Sequence, residues 1–150
     1  MNTIDTITLL NRLIVTAKDG EAALRAAADE AYHADIKEPL SEYSHFLGDA
    51  ARELQAAVHN LGGKPKGAGT FGNTLHRTWI HIKANAYGRD EGVILNEIEA
   101  DEQAAEARFS EALTWDTPPA IHALLERQYV GTHARHGQIQ ALRARLDAPH

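Results

Sequence analysis

Apolar residues recur along this chain at steps of three and four, the spacing that lines them up on one side of an α-helix. A first helix is predicted from about Thr3 to Tyr32, with the stripe Ile7, Leu10, Ile14, Ala17, Glu21, Leu24, Ala28 and Ala31 and with Asp5 or Thr3 as N-cap. Gly20 falls in its middle, at a cost of about 1 kcal/mol relative to Ala. Ala34 to Pro39 reads as a short turn, and Pro39 as part of the first turn of a second helix, where no backbone donor is lost. The second helix, expected over about 37–61, carries Leu40, Tyr43, Leu47, Ala50, Leu54, Ala57 and Leu61 on its inner face. Gly62-Gly63 is a helix-ending composition. The short joint makes these two helices an antiparallel hairpin.

After the loop Lys64 to Gly69, a shorter amphipathic segment is expected over about 70–87, with Phe71, Leu75, Trp79, Ile82 and Ala86 on one side. Gly88-Arg89 breaks it, and Asp90 can cap a helix over about 90–115 with the stripe Leu95, Ile98, Glu102, Ala105, Phe109 and Ala112. Asp116-Thr117-Pro118-Pro119 then stops and restarts the chain. The last helix, about 118–146, presents Ile121, Leu125, Gln128, Thr132, Arg135, Ile139, Leu142 and Leu146, with His136 at the edge. Eighteen residues of helix span about 27 Å, so segment 70–87 can carry the chain from one end of a bundle to the other. The predicted fold is therefore all-α, a ferritin-like four-helix bundle of two antiparallel hairpins joined by a helical crossover, in a single domain spanning residues 1–150. The alternative is one long kinked helix over residues 70–115. Sustained strand alternation and repeats of 20–50 residues are both missing, which disfavours β folds and helical solenoids.

Composition narrows the chemistry. The 150 residues include no Cys, which excludes disulfides, thiolate metal sites and cysteine nucleophiles. The formal net charge is −6, with both signs interspersed and no basic cluster, so no nucleic-acid partner is expected. The N-terminus lacks the basic region and cleavage site of a secretory leader, and its apolar runs are too short to span a bilayer. The expectation is a cytoplasmic protein with no membrane partner. Lys64 to Gly69 lacks the Gly-Lys-Ser/Thr end of a phosphate loop.

Polar residues that interrupt the apolar stripes are the informative ones: Glu21, Glu102, Gln128, Thr132, Arg135 and His136. A buried carboxylate is costly unless it is paired or metal-bound. Inward carboxylates with imidazole suit iron or manganese, and ferritin-like dinuclear centres take one Glu from each of two helices and Glu-x-x-His from each of the others. Glu21 and Glu102 match the single-Glu roles, with Gln128 and His136 as the other candidate ligands. Glu42 and His45 have the Glu-x-x-His spacing but point away from the second helix's stripe. The bland reading is a buried polar network, Glu21 and Glu102 being neutralised by Arg135, His136, Gln128 and tyrosine hydroxyls. The nine His residues are scattered, His133 and His136 forming the closest pair.

Several stretches together carry a resemblance: LNRLIVTAKDGEAALRAAA, ELQAAVHNLGGKP, LHRTW, ILNEIEADEQAAEARFSEAL, and ALLERQY followed by His136. In this order they resemble a family of small bacterial ferritin-like four-helix proteins of unknown function, over nearly the whole chain. The resemblance implies a ferritin-like fold, puts Glu21, Glu102, Gln128 and His136 at positions typical of the family, and matches His76, Arg77 and Trp79 to its crossover motif. The chain departs from it in the second helix, where Phe46 and Leu47 stand in place of a polar Gln/Arg pair. No reaction comes with the resemblance. Three readings follow: a bundle with an iron or manganese site in its centre, a non-enzymatic structural or partner-binding bundle with a metal-free polar core, and a small-molecule binder using the polar cavity. A homodimer is the partner expected of a bundle of this size.

Overall fold

The computed structural model describes residues 1–69 and 91–147. Within them the chain forms α1 (Thr3–Glu30), α2 (Ala34–Asn60), α3 (Glu91–Ala112) and α4 (Pro119–Asp147). The helix expected over 70–87, its His76, Arg77 and Trp79, and the cap at Asp90 lie outside the described residues.

Helix ends follow local chemistry. Asn2, not Thr3 or Asp5, caps α1: its side-chain oxygen accepts from the Asp5 amide at 2.8 Å. The turn expected over 34–39 is already helical, and Pro39 sits inside α2 instead of in its first turn. The amides of Ile36 and Lys37 both reach the His33 carbonyl, which starts the helix early. Buried Ile36 and Leu40 on either side of Pro39 hold the segment on the core, and this packing offsets the missing backbone donor. The Lys37 ammonium donates back to the carbonyls of Ala28 and Ala31, covering acceptors at the end of α1. At the other end of α2, Gly62 takes φ 83°. The amides of Gly62 and Gly63 return to His59 and Val58, the paired bonds that close a helix through a left-handed residue.

The two hairpins, α1–α2 and α3–α4, pack mainly through α1 against α3, while α2 and α4 touch sparsely. Glu91, the first residue of α3, meets Tyr32 and His33 where α1 hands over to α2. The end of α3 lies beside the start of α1, Ala112 and Trp115 sharing a cleft with Leu9 and Arg12. α2 therefore finishes at one end of the bundle and α3 begins at the other. Residues 63–69 already run back along α1: Gly63 lies against Ile7, Lys66 is held by Asn11 and Gln55, and Gly69 rests on Asp19. A simple up-down-up-down bundle would start α3 where α2 stops, so the helix order is the one with a long connection between hairpins.

Buried apolar side chains form two clusters. One gathers Leu24, Leu40, Leu47, Leu95, Ile98 and Ile139 near the α1–α2 turn. The other gathers Leu10, Ile14, Leu54, Phe109, Ile121 and Leu125 at the opposite end. Between them, on α3 and α4, lie Glu102, Gln128, Thr132 and Arg135, all buried.

Candidate functional site

The polar layer grows out of the helical period. On α3 the buried positions run Ile98, Glu102, Phe109, and on α4 they run Leu125, Gln128, Thr132, Arg135, Ile139. Antiparallel packing brings Glu102 and Arg135 to one height. The Arg135 Nε–H donates to both Glu102 oxygens, at 3.1 and 3.0 Å. Another guanidinium nitrogen donates to the Thr132 hydroxyl at 3.2 Å, and that hydroxyl donates to the Gln128 carbonyl at 2.9 Å. The Gln128 side-chain nitrogen donates to the Ala50 carbonyl on α2 at 3.2 Å. Burial pushes the Glu102 carboxyl above the usual range, and the Arg135 charge and hydrogen bond pull it back.

Two clefts reach this layer from opposite sides. One, of about 220 Å³, opens between α1 and α3 and is lined by Gly20, Leu24, Asp101, Glu102, Arg108 and Arg135 among others. The Asp101 carboxyl there is pushed up to about 6, chiefly by loss of hydration and then by the like charges of Glu97, Glu102 and Asp19. The second, of about 320 Å³, opens between α2 and α4 and is lined by Tyr43, Phe46, Leu47, Gln128, Gly131 and Arg135 among others.

The four candidate ligands do not converge. Glu21 turns toward α2, where its carboxylate crowds the bare face of Gly48 and pairs with Lys18 and Arg25 at 3.5 and 3.4 Å. Glu102 is held by Arg135, and Gln128 is tied to backbone. His136 leaves the core edge for Glu106, with Nδ1 at 2.7 Å from the carboxylate. Glu106 also meets His133 Nδ1 at 2.5 Å, and the two imidazoles hold its carboxyl below the ordinary range. Among the described residues no group of three or more His, Asp or Glu side chains is arranged to hold a metal ion. As placed here, these side chains do not form the dinuclear centre weighed from the polar positions on the stripes. Nor is any described helix long and apolar enough to cross a membrane.

The family model described as "Domain of unknown function (DUF2383)" matches residues 5–115. The chain belongs to this family. The DUF2383 match takes in α1, α2 and α3, with Glu21 and Glu102, and stops before α4, which supplies Gln128, Thr132, Arg135 and His136. A comparison with curated proteins finds no match.

Sequence reasoning missed two carboxylates. Glu91 is buried, accepts from the amides of Tyr32 and His33 at 3.1 Å each, and faces His33 Nδ1 at 2.5 Å. An acidic residue in a helix's first turn looks like ordinary dipole compensation, so nothing in the sequence marked it as a cross-hairpin contact. Glu106 carried a weak signal, being four residues on from Glu102 and therefore on a neighbouring face.

Proposed function

We propose that this DUF2383 protein is a ferritin-like bundle that works by binding, without a metal at its centre, the polar layer being an ion-paired network. The observation that supports this reading is the position of Arg135, whose Nε–H reaches both oxygens of Glu102, a carboxylate buried in mid-core. A guanidinium there supplies the compensating charge that a metal ion would otherwise supply.

The competing reading keeps iron or manganese at Glu21, Glu102, Gln128 and His136. It requires Glu102 to release Arg135 and Glu21 to leave Lys18 and Arg25. The deciding experiment is elemental analysis of chelator-free protein after anaerobic incubation with Fe(II) or Mn(II), on wild type and on Glu102→Gln. Substoichiometric metal, unchanged in the variant, is the expected result. Near-stoichiometric metal that disappears in Glu102→Gln would overturn the proposal and restore the metal centre.

A further inference from the structure

Among the described residues, large apolar side chains left in water gather at helix ends, as Ile4, Tyr32, Val93 and Trp115 do. Phe46 at 54% and Val130 at 61% exposure stand instead in mid-helix, on α2 and α4. Both belong to one side of the bundle. Phe46 lines the α2–α4 cleft, and Val130 sits beside Arg127, which lines it too. Residues 63–69 follow α1 and leave this side uncovered.

The charges on this side are divided between the two helices. Glu42 lies four residues before Phe46 and Glu53 seven after it, on the same exposed row of α2. On α4, Arg127 lines the cleft, and Arg145 lies seven residues after Gln138, which lines it as well. The α2 rim is therefore acidic and the α4 rim basic. Glu53 meets Arg127 at 2.8 Å. Asp49 and Glu126 are met on their own helices by Arg52 and His122. Glu42 and Arg145 have no ion-pair or hydrogen-bond partner among the described residues. They stand at similar heights, since their neighbours Tyr43 and Leu146 pack against the same core cluster.

We propose that the α2–α4 face is a self-association surface, on which a second copy of this chain docks about a two-fold axis parallel to the helices. α2 of each copy then lies on α4 of the other. A closed two-fold contact needs one patch that complements itself, and this patch has both halves. The acidic rim of one copy meets the basic rim of the other, and Glu42 pairs with Arg145 of the other copy at two symmetric places. Phe46 shares its cleft with Gly131 and Ala134, so across the axis its ring falls on the same low stretch of the other copy's α4. A two-fold axis running across the helices would instead set α2 on α2, acid against acid. The proposal does not depend on what the polar layer holds: that reading fails by metal uptake, and this one by molecular mass.

Sedimentation equilibrium of the full, EDTA-dialysed chain tests it, over a concentration series reaching about 0.1 mM. Wild type should reach twice the 16.4 kDa of one chain. Phe46→Glu should remain monomeric through the series; because Phe46 is half in water already, the variant should fold, and circular dichroism checks this. Glu42→Arg and Arg145→Glu each set like charges against each other twice, and each should weaken the dimer by about ten-fold or more. Mixed in equal amounts, these two variants should dimerise about as tightly as wild type, because the reversed side chain of each then faces that of the other. An effect confined to one chain could not be repaired by mixing. A monomeric wild type at the top of the series would overturn the proposal. So would a dimer that Phe46→Glu leaves intact, or charge variants that stay weak when mixed.

Discussion

Arg135→Met keeps most of the side chain's length but removes the guanidinium from Glu102. Both partners are buried, Glu102 at 3% and Arg135 at 7% exposure, and Nε lies 3.0 Å from the nearer oxygen. At an effective dielectric of about 20, charges at that distance attract by about 5 kcal/mol. Removing one partner leaves the other buried without compensation, at a cost of about 3–5 kcal/mol. The carboxylate can escape part of this by taking a proton, a step that burial already favours at Glu102. Arg135→Met should therefore lose about 3 kcal/mol or more at neutral pH, with a deficit that shrinks on acidification. Glu102→Gln strands a guanidinium that cannot deprotonate, so its deficit should persist across the same pH range. The double variant Glu102→Leu/Arg135→Leu, which removes both charges, should lie within about 1 kcal/mol of wild type or above it. The double variant Glu102→Gln/Arg135→Met closes the cycle with wild type and the two singles, and urea unfolding of these four proteins at two pH values yields the coupling energy. Single variants each costing under about 1 kcal/mol, or a double variant whose deficit is the sum of the singles, would refute the view that these charges compensate each other.

Two glycines should respond in opposite directions. Gly131→Ala should raise stability by about 0.5–1 kcal/mol, because the position is helical and a Cβ there has open space. Gly62→Ala should lower it by about 1–2 kcal/mol, because φ 83° ends α2 in the left-handed region; thermal unfolding checks both. Asp101→Asn should stabilise the protein above about pH 6 and lose its advantage as the pH falls toward 3.8. The sign follows from the raised carboxyl: between those values the folded chain holds a proton that the unfolded chain has released, so stability falls as the pH rises. Asp101 keeps solvent contact, so screening reduces the effect below what the shift alone implies. His33→Ala should destabilise more near pH 5.5 than near pH 8.5. The Glu91 hydrogen bond raises the imidazole above its ordinary 6.5, so its contribution is complete below that value and is lost as the pH climbs past the folded one. Equal deficits at the two pH values would show that no protonated His33 is held by Glu91.

The sequence read α4 most accurately. Every stripe position from Ile121 to Leu142 is buried, including the polar Gln128, Thr132 and Arg135, because a regular helix obeys its period whatever chemistry it carries. Glu21 obeys the same rule in position, and its partners are local. It lies on the stripe of α1, with its carboxylate against buried Gly48 of α2 and paired with Lys18 and Arg25 at i−3 and i+4. α2 also shifted: its buried set is Ile36, Leu40, Ser44, Leu47, Gly48, Ala51, Leu54 and Val58. The small Ser44, Gly48 and Ala51 face the core where Tyr43 and Ala50 were expected, since close approach to α1 favours small residues over apolar ones. Ser44 marks that approach by donating to the Glu21 backbone carbonyl at 2.9 Å. Pairing between helices was the least legible level. Arg135 was named among several groups that could neutralise Glu102, but choosing it required knowing the height of α3 against α4.

That height is itself what the ion pair controls. A slide of α4 by one heptad would bring Gln128 or Leu142 opposite Glu102 in place of Arg135. Apolar layers such as Ile98 against Ile139 would tolerate the exchange, since one aliphatic side chain replaces another. The carboxylate would not, because neither newcomer carries a positive charge and the stranded group costs several kcal/mol. A pair that adds little net stability can thus hold one register against its neighbours, as isolated polar residues do in coiled coils. Gln128 is seven residues before Arg135, so the register that sets Arg135 on Glu102 also sets the Gln128 amide on the Ala50 carbonyl. The Glu102→Leu/Arg135→Leu variant separates register from net stability. It should stay helical and about as stable as wild type, yet show broadened amide resonances along α4. Sharp resonances would mean that apolar packing and the α3–α4 turn fix the register without the charges.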